Sequence, residues 1–117
     1  MDKAIKVLRP GVHLGDVSAA IQNYVEQQGF SVVRQLVGHG VGKKVHEDPR
    51  VPNFGKKGEG VILKEGMCLA IEPMVNMGGA DVALKGDDWT YQSADSSLSA
   101  HFEKSIAIVK NGYLILT

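Results

Sequence analysis

Four residues with chemically active side chains stand out in this sequence: His39, His46, Glu72 and Glu103. The two histidines occupy the glycine-rich segment GHGVGKKVHEDP, and each glutamate interrupts an otherwise apolar, strand-like run. Burying an ionised carboxylate costs several kcal/mol unless a cation or hydrogen-bond donors compensate its charge. The two glutamates are therefore expected to share a partner that carries positive charge.

One imidazole and two carboxylates form a donor set that suits a divalent first-row metal such as Mn, Fe, Co or Zn. His39, Glu72 and Glu103 are the candidate ligands. A bridging carboxylate can hold two such metals, which together polarise a carbonyl and activate water near neutral pH. Hydrolysis of an amide bond is the reaction class that this set favours. His46 is then expected to support the ligands or to donate a proton to the substrate.

The same residue types also occur in purely structural roles, and the spacing alone leaves these open. Histidines in glycine-rich loops are often turn residues, and Glu72 can instead pair with a lysine or cap the turn at Pro73. Trp89, in the acidic turn GDDWT, is more often a packing residue than part of a pocket. His13 and His101 are assigned to surface or packing roles.

The elements that position these residues follow from periodicity and turn residues. Apolar positions recur every three or four residues over 16–28, and Gly29 follows, which predicts an amphipathic helix with a glycine cap. The apolar run FSVVRQLV predicts a strand, or a strand with a break, that places His39 just beyond its end. Residues 49–66, rich in glycine, proline and lysine, predict turns and surface loop.

Two later segments predict the strands that carry the glutamates. MCLAIEPMV is a buried strand candidate that contains Glu72, and SAHFEKSIAIV is a second that contains Glu103. Because side chains alternate along a strand, His101, Glu103 and Ser105 share one face, whereas Phe102 points the other way into the core. A sheet that pairs these strands brings the two carboxylates together.

The remaining segments predict short hairpins. NMGGADVALKGDDW indicates a hairpin or loop that leads into a short strand at 90–92. The final segment holds Asn111 and Gly112 between two apolar runs, a strong signal for two antiparallel strands. Cys68, the single cysteine, is expected in the core.

Composition bounds the class of protein. The chain has 117 residues, enough for one domain, with 44% hydrophobic and 22% charged residues. Thirteen basic side chains balance thirteen acidic ones, which argues against direct nucleic-acid binding. The apolar stretches are far shorter than the roughly 20 residues that span a bilayer, so no membrane association is expected. The single cysteine fits a reducing compartment, and a cytoplasmic location is predicted.

Four motifs in order, GHGVGKKVHEDP, IEPMVN, GDDWT and SLSAHFE, resemble those of the type I methionine aminopeptidases. The match covers nearly the whole chain. This resemblance implies an α+β architecture, the second half of a pita-bread fold, with a curved antiparallel sheet and flanking helices. It also implies a metal-dependent aminopeptidase that removes the N-terminal methionine from nascent proteins.

The resemblance can be carried over residue by residue. His39 looks like the family's metal-ligand histidine, Glu72 like the glutamate that is both a ligand and the general base, and Glu103 like the bridging ligand. His46 is similar to the histidine that contacts the scissile peptide, and Trp89 to the tryptophan that lines the methionine pocket. Lys104 departs from the family, since a histidine commonly follows the glutamate.

The larger departure concerns two aspartate ligands, which the family takes from an amino-terminal half in DVG and DSA-like motifs. Residues 1–117 contain neither motif, so they are expected to form a single partial peptidase domain. A complete site of this family binds two metals, whereas this chain alone is expected to bind one or none and to be impaired or inactive. An open sheet edge favours a homodimer or association with the missing amino-terminal half.

Two other functions are compatible with this resemblance. Relatives with the same fold include X-prolyl peptidases, and some members have lost their metal and act as noncatalytic modules that bind peptides or proteins. The presence of His39, Glu72 and Glu103 argues against the noncatalytic alternative.

Overall fold

The computed structural model describes all residues, 1–117, as two helices and ten strands. The helices are α1 (Asp2–Ile5) and α2 (Leu14–Gln27). The strands are β1 (Ser31–Val32), β2 (Gly38–Gly40), β3 (Glu47–Val51), β4 (Cys68–Ile71), β5 (Met74–Asn76), β6 (Val82–Leu84), β7 (Tyr91–Ser93), β8 (Ser99–His101), β9 (Lys104–Val109) and β10 (Gly112–Ile115). No helix is long and apolar enough to cross a bilayer.

Helix α2 confirms the helix predicted at 16–28, although it begins two residues earlier. A capping box fixes its start, because the His13 backbone N–H donates to the Asp16 carboxylate at 3.0 Å. The His13 ring lies 3.1 Å from the Gly60 carbonyl oxygen, which is a structural role of the expected kind. Gly29 follows with a φ of +81°, the left-handed conformation that glycine adopts most readily.

The strands form three antiparallel sheets. The largest has the order β10-β9-β4-β2-β3, a second has the order β1-β5-β8, and β6 and β7 form a separate hairpin. One core of 14 buried residues joins both helices to the largest sheet. Its members are Ala4, Ile5, Leu8, Val12, Leu14, Val17, Ile21, Val32, Val51, Leu63, Leu69, Ile71, Ile106 and Ile108.

Both of the strands expected to carry glutamates are interrupted at the glutamate. The predicted strand at 67–75 is divided into β4 and β5, which belong to different sheets, and residues 72–73 lie between them. The run at 99–109 is likewise divided into β8 and β9, with residues 102–103 between. The glutamates therefore lie where the paired chains pass from one sheet to the other.

The two interruptions face each other because the pairing register is the same on both sides. Ile71 pairs with Lys104 in the largest sheet, and Met74 pairs with His101 in the second sheet. Glu72 consequently lies opposite Glu103 along the same antiparallel ladder. Tertiary pairing, rather than local sequence, brings the two carboxylates together.

The prediction that Phe102 packs in the core is wrong, because its side chain is 58% exposed. It lies in the interruption before β9, where the strict alternation of a continuous strand does not apply. Its side chain does not pack beneath the largest sheet. It lines an apolar groove that also includes Pro73. Cys68, expected in the core, is only partly buried at the start of β4.

Three further expectations about strands and loops need correction. His39 lies within strand β2 and not beyond a strand end, because it pairs with Arg50 on one side and Ala70 on the other. The predicted strand FSVVRQLV retains only the two residues of β1, which pair with β5. The loop expected at 49–66 starts later, since its first residues complete β3.

The terminal hairpin and the short strand expected near residue 90 are confirmed. β6 pairs with β7, whose bounds differ by one residue from the strand expected at 90–92. β9 pairs with β10 in register from Val109 opposite Gly112, so the two-residue turn consists of Lys110 and Asn111. The Asn-Gly signal predicts a turn at residues 111–112, so the observed turn lies one residue earlier in the chain.

Asp95, in the loop that follows β7, connects this loop to the segment before β6. Its carboxylate accepts hydrogen bonds from the backbone N–H groups of Gly79 at 2.8 Å and Ser97 at 3.0 Å. The Gly79 amide, followed by the hydroxyl and amide of Ser97, lowers the pKa of Asp95 from 3.8 to about 2. These donors favour the ionised carboxylate, so folding and ionisation of Asp95 are linked.

Replacing Asp95 by asparagine is therefore expected to lower stability at neutral pH. The pKa of Asp95 is depressed by folding, so its contribution is present above 3.8 and is lost as the pH falls toward about 2. Thermal unfolding of wild type and Asp95→Asn between pH 6 and pH 2 measures this, with a Tm difference that narrows below pH 4. A Tm difference that stays constant across this range would contradict the linkage.

Candidate metal centre

Glu72 is the central residue of the candidate site. One of its carboxylate oxygens, Oε1, lies 3.4 Å from Nε2 of His39, and the other, Oε2, lies 3.1 Å from Nε2 of His101. The side chains of Glu72 and His39 are 15% and 16% exposed, whereas that of His101 is 48% exposed. An imidazole thus faces each oxygen of a mostly buried carboxylate.

The sheet register explains why these residues meet. His39 of β2 pairs with Ala70 of β4, two residues before Glu72. His101 ends β8 directly before the interruption that contains Glu103. Strand pairing therefore positions each of these side chains through its backbone.

The ring orientation of His39 leaves Nε2 available as a ligand. Its Nδ1 lies 2.8 Å from the carbonyl oxygen of Gly40, which fits a hydrogen bond donated by Nδ1–H. In the neutral ring Nε2 then carries a lone pair, and this nitrogen lies 3.4 Å from Oε1 of Glu72. Two lone pairs at this distance repel each other unless a proton or a cation lies between them. This orientation is typical of metal-binding histidines.

Glu103 lies on the exposed side of the same site. Donor atoms of Glu72, His101 and Glu103 all lie within 4.8 Å of one another. His39 contacts Glu72 but does not belong to this group of three. The structure thus places His39 beside one oxygen of Glu72, and Glu103 together with His101 in a group that shares Glu72.

The sequence pattern assigns His101 to a surface or packing role, and the structure shows a direct contact with Glu72 instead. The sequence signal that could have indicated this role for His101 is its spacing from Glu103, because the two residues lie two positions apart on one expected strand face. That signal is weak because it does not reveal which strand lies opposite.

No basic side chain compensates the two glutamates. The ion pairs of Glu72 involve only histidines, and neither Glu72 nor Glu103 pairs with a lysine or an arginine. Lys104 directs its ammonium group to the carbonyl oxygen of Thr117 at 3.0 Å. The alternative in which a lysine neutralises Glu72 is therefore not what the structure shows. Carboxylate and imidazole donors without a basic partner fit a divalent cation.

His46 lies beside His39 at the mouth of the site. The centroids of the two imidazole rings are 4.1 Å apart, and the ring planes are tilted by 53°. The loop before β3 is held by the Lys44 backbone N–H, which donates to the Glu47 carboxylate at 2.7 Å. A polar cleft of about 530 Å³ opens here, lined by His39, Lys44, His46, Glu47, Asp48 and Arg50.

Trp89 lies at the tip of the β6–β7 hairpin and is 86% exposed. The turn is ordered by Asp87, whose carboxylate accepts hydrogen bonds from the Trp89 and Thr90 backbone N–H groups at 3.1 and 2.8 Å. The Thr90 hydroxyl contributes most to lowering the pKa of Asp87. The role of the indole in a substrate pocket stays a prediction.

Comparison with known proteins identifies the family of this chain. The model of metallopeptidase family M24 matches residues 1–110, so the chain belongs to this family. It is 61% identical over 104 residues to a methionine aminopeptidase of Clostridium perfringens, covering 89% of this chain and 42% of that protein.

The solved structures define the fold. Methionine aminopeptidase from Thermotoga maritima matches with a TM-score of 0.97 and 55% identity over 99% of this chain and 47% of that protein. A prolidase from Pyrococcus horikoshii matches at a TM-score of 0.69 and 27% identity, over 99% of this chain and 28% of that protein. The expected α+β pita-bread fold is confirmed. The chain spans less than half the length of the methionine aminopeptidases it matches.

Gly40 determines how closely strands β2 and β3 approach behind the two histidines. A Cβ atom at this position would lie 2.2 Å from the carbonyl oxygen of Asp48, whereas one at Gly86 would meet nothing within 4 Å. Gly40→Ala is therefore expected to destabilise the fold by about 1–3 kcal/mol through overpacking. It should also separate the rings of His39 and His46.

Urea unfolding measures the stability change, and nuclear Overhauser contacts between the two imidazoles report their separation. Gly86→Ala is the matched control and should change the free energy of unfolding by less than about 0.5 kcal/mol. Equal stability of the two variants, with the contact between the rings retained, would refute this packing argument.

Proposed function

We propose that residues 1–117 form one half of a metallo-aminopeptidase domain that removes the N-terminal methionine of nascent polypeptides in the cytoplasm. The observation that carries this proposal is the mostly buried Glu72, which contacts two imidazoles, lies near Glu103 and lacks a basic partner. The similarity to proteins named methionine aminopeptidases supports the same activity.

The proposed metal ligands in this chain are His39, Glu72 and Glu103. Two aspartates from another half of the domain complete a site for two divalent ions (Co, Mn, Fe or Zn), and this chain alone holds one or none. Bound ions would polarise the scissile carbonyl and acidify water. The donor types in the structure suit such ions, and three ligands hold them more weakly than five.

The chain's own residues supply the proton transfers. Glu72 accepts a proton from the attacking water, because its carboxylate is mostly shielded from solvent and lies at the centre of the site. His46 donates a hydrogen bond to the carbonyl oxygen as negative charge develops there, from its position beside His39. Trp89 contacts the methionine side chain of the substrate.

An apolar groove beside the site is the proposed position of the other half. This groove has a volume of about 520 Å³ and is formed by both helices together with strands β5 and β8. Pro73 and Phe102, the immediate neighbours of Glu72 and Glu103, line it. A body that fills the groove therefore lies directly beside the ligands. The greater length of the relatives supports this occupant, and a second copy of this chain, forming a homodimer, is the alternative.

Two other functions remain as alternatives for the experiment. The likeness to a prolidase keeps an X-prolyl peptidase under consideration, although the TM-score of 0.69 is well below that for the methionine aminopeptidase. A noncatalytic peptide-binding module would need no metal, yet the donors around Glu72 are in place.

Activity is best tested with the tripeptide Met-Ala-Ser, with Ala-Pro peptides as the competing substrate class and with each candidate metal. The chain alone should show little or no hydrolysis. Addition of the part of the Clostridium perfringens relative that this chain does not cover should produce methionine release. Glu72→Gln should lower kcat at least about 100-fold, since the general base is lost.

Glu65→Gln is the matched control, because Glu65 is exposed and lies outside the site. Preferential cleavage of Ala-Pro would favour the X-prolyl alternative. Metal-independent peptide binding without turnover in the combined sample would favour the noncatalytic module. Equal kcat values for Glu72→Gln and Glu65→Gln would exclude Glu72 as the base.

The occupant of the groove can be identified by sedimentation. Phe102→Asp places a charge in the groove, so it should weaken binding of the supplied half at least tenfold, and Leu116→Asp, also exposed but outside the groove, should not. A wild-type chain that sediments as a dimer, and becomes monomeric only with Phe102→Asp, would favour the homodimer instead. Identical behaviour of both variants would show that neither partner uses the groove.

A further inference from the structure

We propose that His101 is itself a metal ligand, and that Glu72, His101 and Glu103 bind one divalent cation without donors from any other segment. This inference rests on the proposed function for the assignment of Glu72 and Glu103 as ligands. It adds a nitrogen donor that the resemblance to methionine aminopeptidases does not supply.

The distances already approach those of a coordination shell. Donor atoms bound to one metal at about 2.0–2.2 Å lie at most about 4.4 Å apart. Donor atoms of Glu72, His101 and Glu103 lie within 4.8 Å of one another, and Nε2 of His101 is 3.1 Å from Oε2 of Glu72. In a tetrahedral shell the donor atoms lie about 3.4 Å apart, so side-chain shifts of up to about 1 Å, without any change in the strands, would close the shell.

The strand pairing fixes the three donors from within this chain. His101 pairs with Met74 across the β5–β8 ladder, and Glu103 follows two residues later in the interruption opposite Glu72. His101 and Glu103 therefore form a short chelating pair on one side, with Glu72 approaching from the other strand. This arrangement depends on residues of the sheet and not on the occupant of the groove.

Charge and exposure also suit a single divalent cation. Two carboxylates balance the charge of one such ion, and no lysine or arginine competes for either of them. His101 is about half exposed, so water has access to complete the coordination. His39 contacts the other oxygen of Glu72, and this leaves Oε2 directed at His101. A metal at His101 would thus lie on the opposite side of the Glu72 carboxylate from His39.

Calorimetric titration with Zn²⁺ tests the proposal on the full chain. His101→Gln keeps the size and polarity of the side chain but removes the imidazole donor, so Zn²⁺ affinity should fall at least about tenfold. His101→Asp restores an anionic donor and should recover much of that loss. Circular dichroism of each variant confirms that it is folded.

A direct readout is the ¹⁵N chemical shift of the histidine rings in the wild-type chain. Addition of Zn²⁺ should move the Nε2 resonance of His101, whereas His13, whose ring lies against the Gly60 carbonyl at the start of α2, serves as the internal reference. Movement of the His39 resonance alone would place the ion on the other side of Glu72 and overturn the inference.

The outcomes separate this inference from the proposed function. If Glu72→Gln and Glu103→Gln weaken Zn²⁺ binding while His101→Gln does not, His101 is not a ligand and the proposed function stands. If none of the three substitutions affects binding, both proposals fail. A chain that binds no Zn²⁺ by itself overturns the inference about His101, and methionine release after addition of the other half would still support the proposed function.

Discussion

The site depends on one electrostatic constraint: two carboxylates are held close together without a basic side chain to neutralise them. Glu72 and Glu103 face each other across one antiparallel ladder, so the backbone fixes their proximity. Their mutual repulsion opposes folding unless positive charge offsets it. Imidazoles supply part of that charge when protonated, and a divalent cation would supply it at any pH where the carboxylates are ionised. The carboxylates that could bind a cation are therefore the same groups whose repulsion opposes folding.

The interruption of the two strands produces both the site and the neighbouring groove. At residues 72–73 the chain passes from the largest sheet into the second one, at residues 102–103 it passes back, and strict alternation of side chains is lost at both points. Glu103 approaches Glu72, while Phe102 lines the apolar groove. Adjacent residues thus serve a polar site and an apolar surface. Whatever occupies that surface lies next to the donors and can influence them by contact.

The core explains how these 117 residues can position a site. Fourteen residues from both helices, the largest sheet, β1 and the connecting segments form one cluster, which supports strand β2 with His39 and strand β4, directly before Glu72. The high TM-score against a much longer methionine aminopeptidase agrees with this view, because the arrangement of the strands is the same in the two. The backbone framework of the site therefore needs only the packing within these residues, whereas a complete set of ligands for two metals needs further donors.

The sequence by itself determined helix α2, the terminal hairpin and the residue types of the site, because helical periodicity, an Asn-Gly signal and isolated carboxylates are local patterns. Only the tertiary structure decided the interruptions at Glu72 and Glu103, the exposure of Phe102 and the contact between His101 and Glu72. Each of these depends on which strand lies opposite and in what register. Pairing between residues about thirty positions apart leaves no trace in either segment alone, since the same apolar run fits one strand or two.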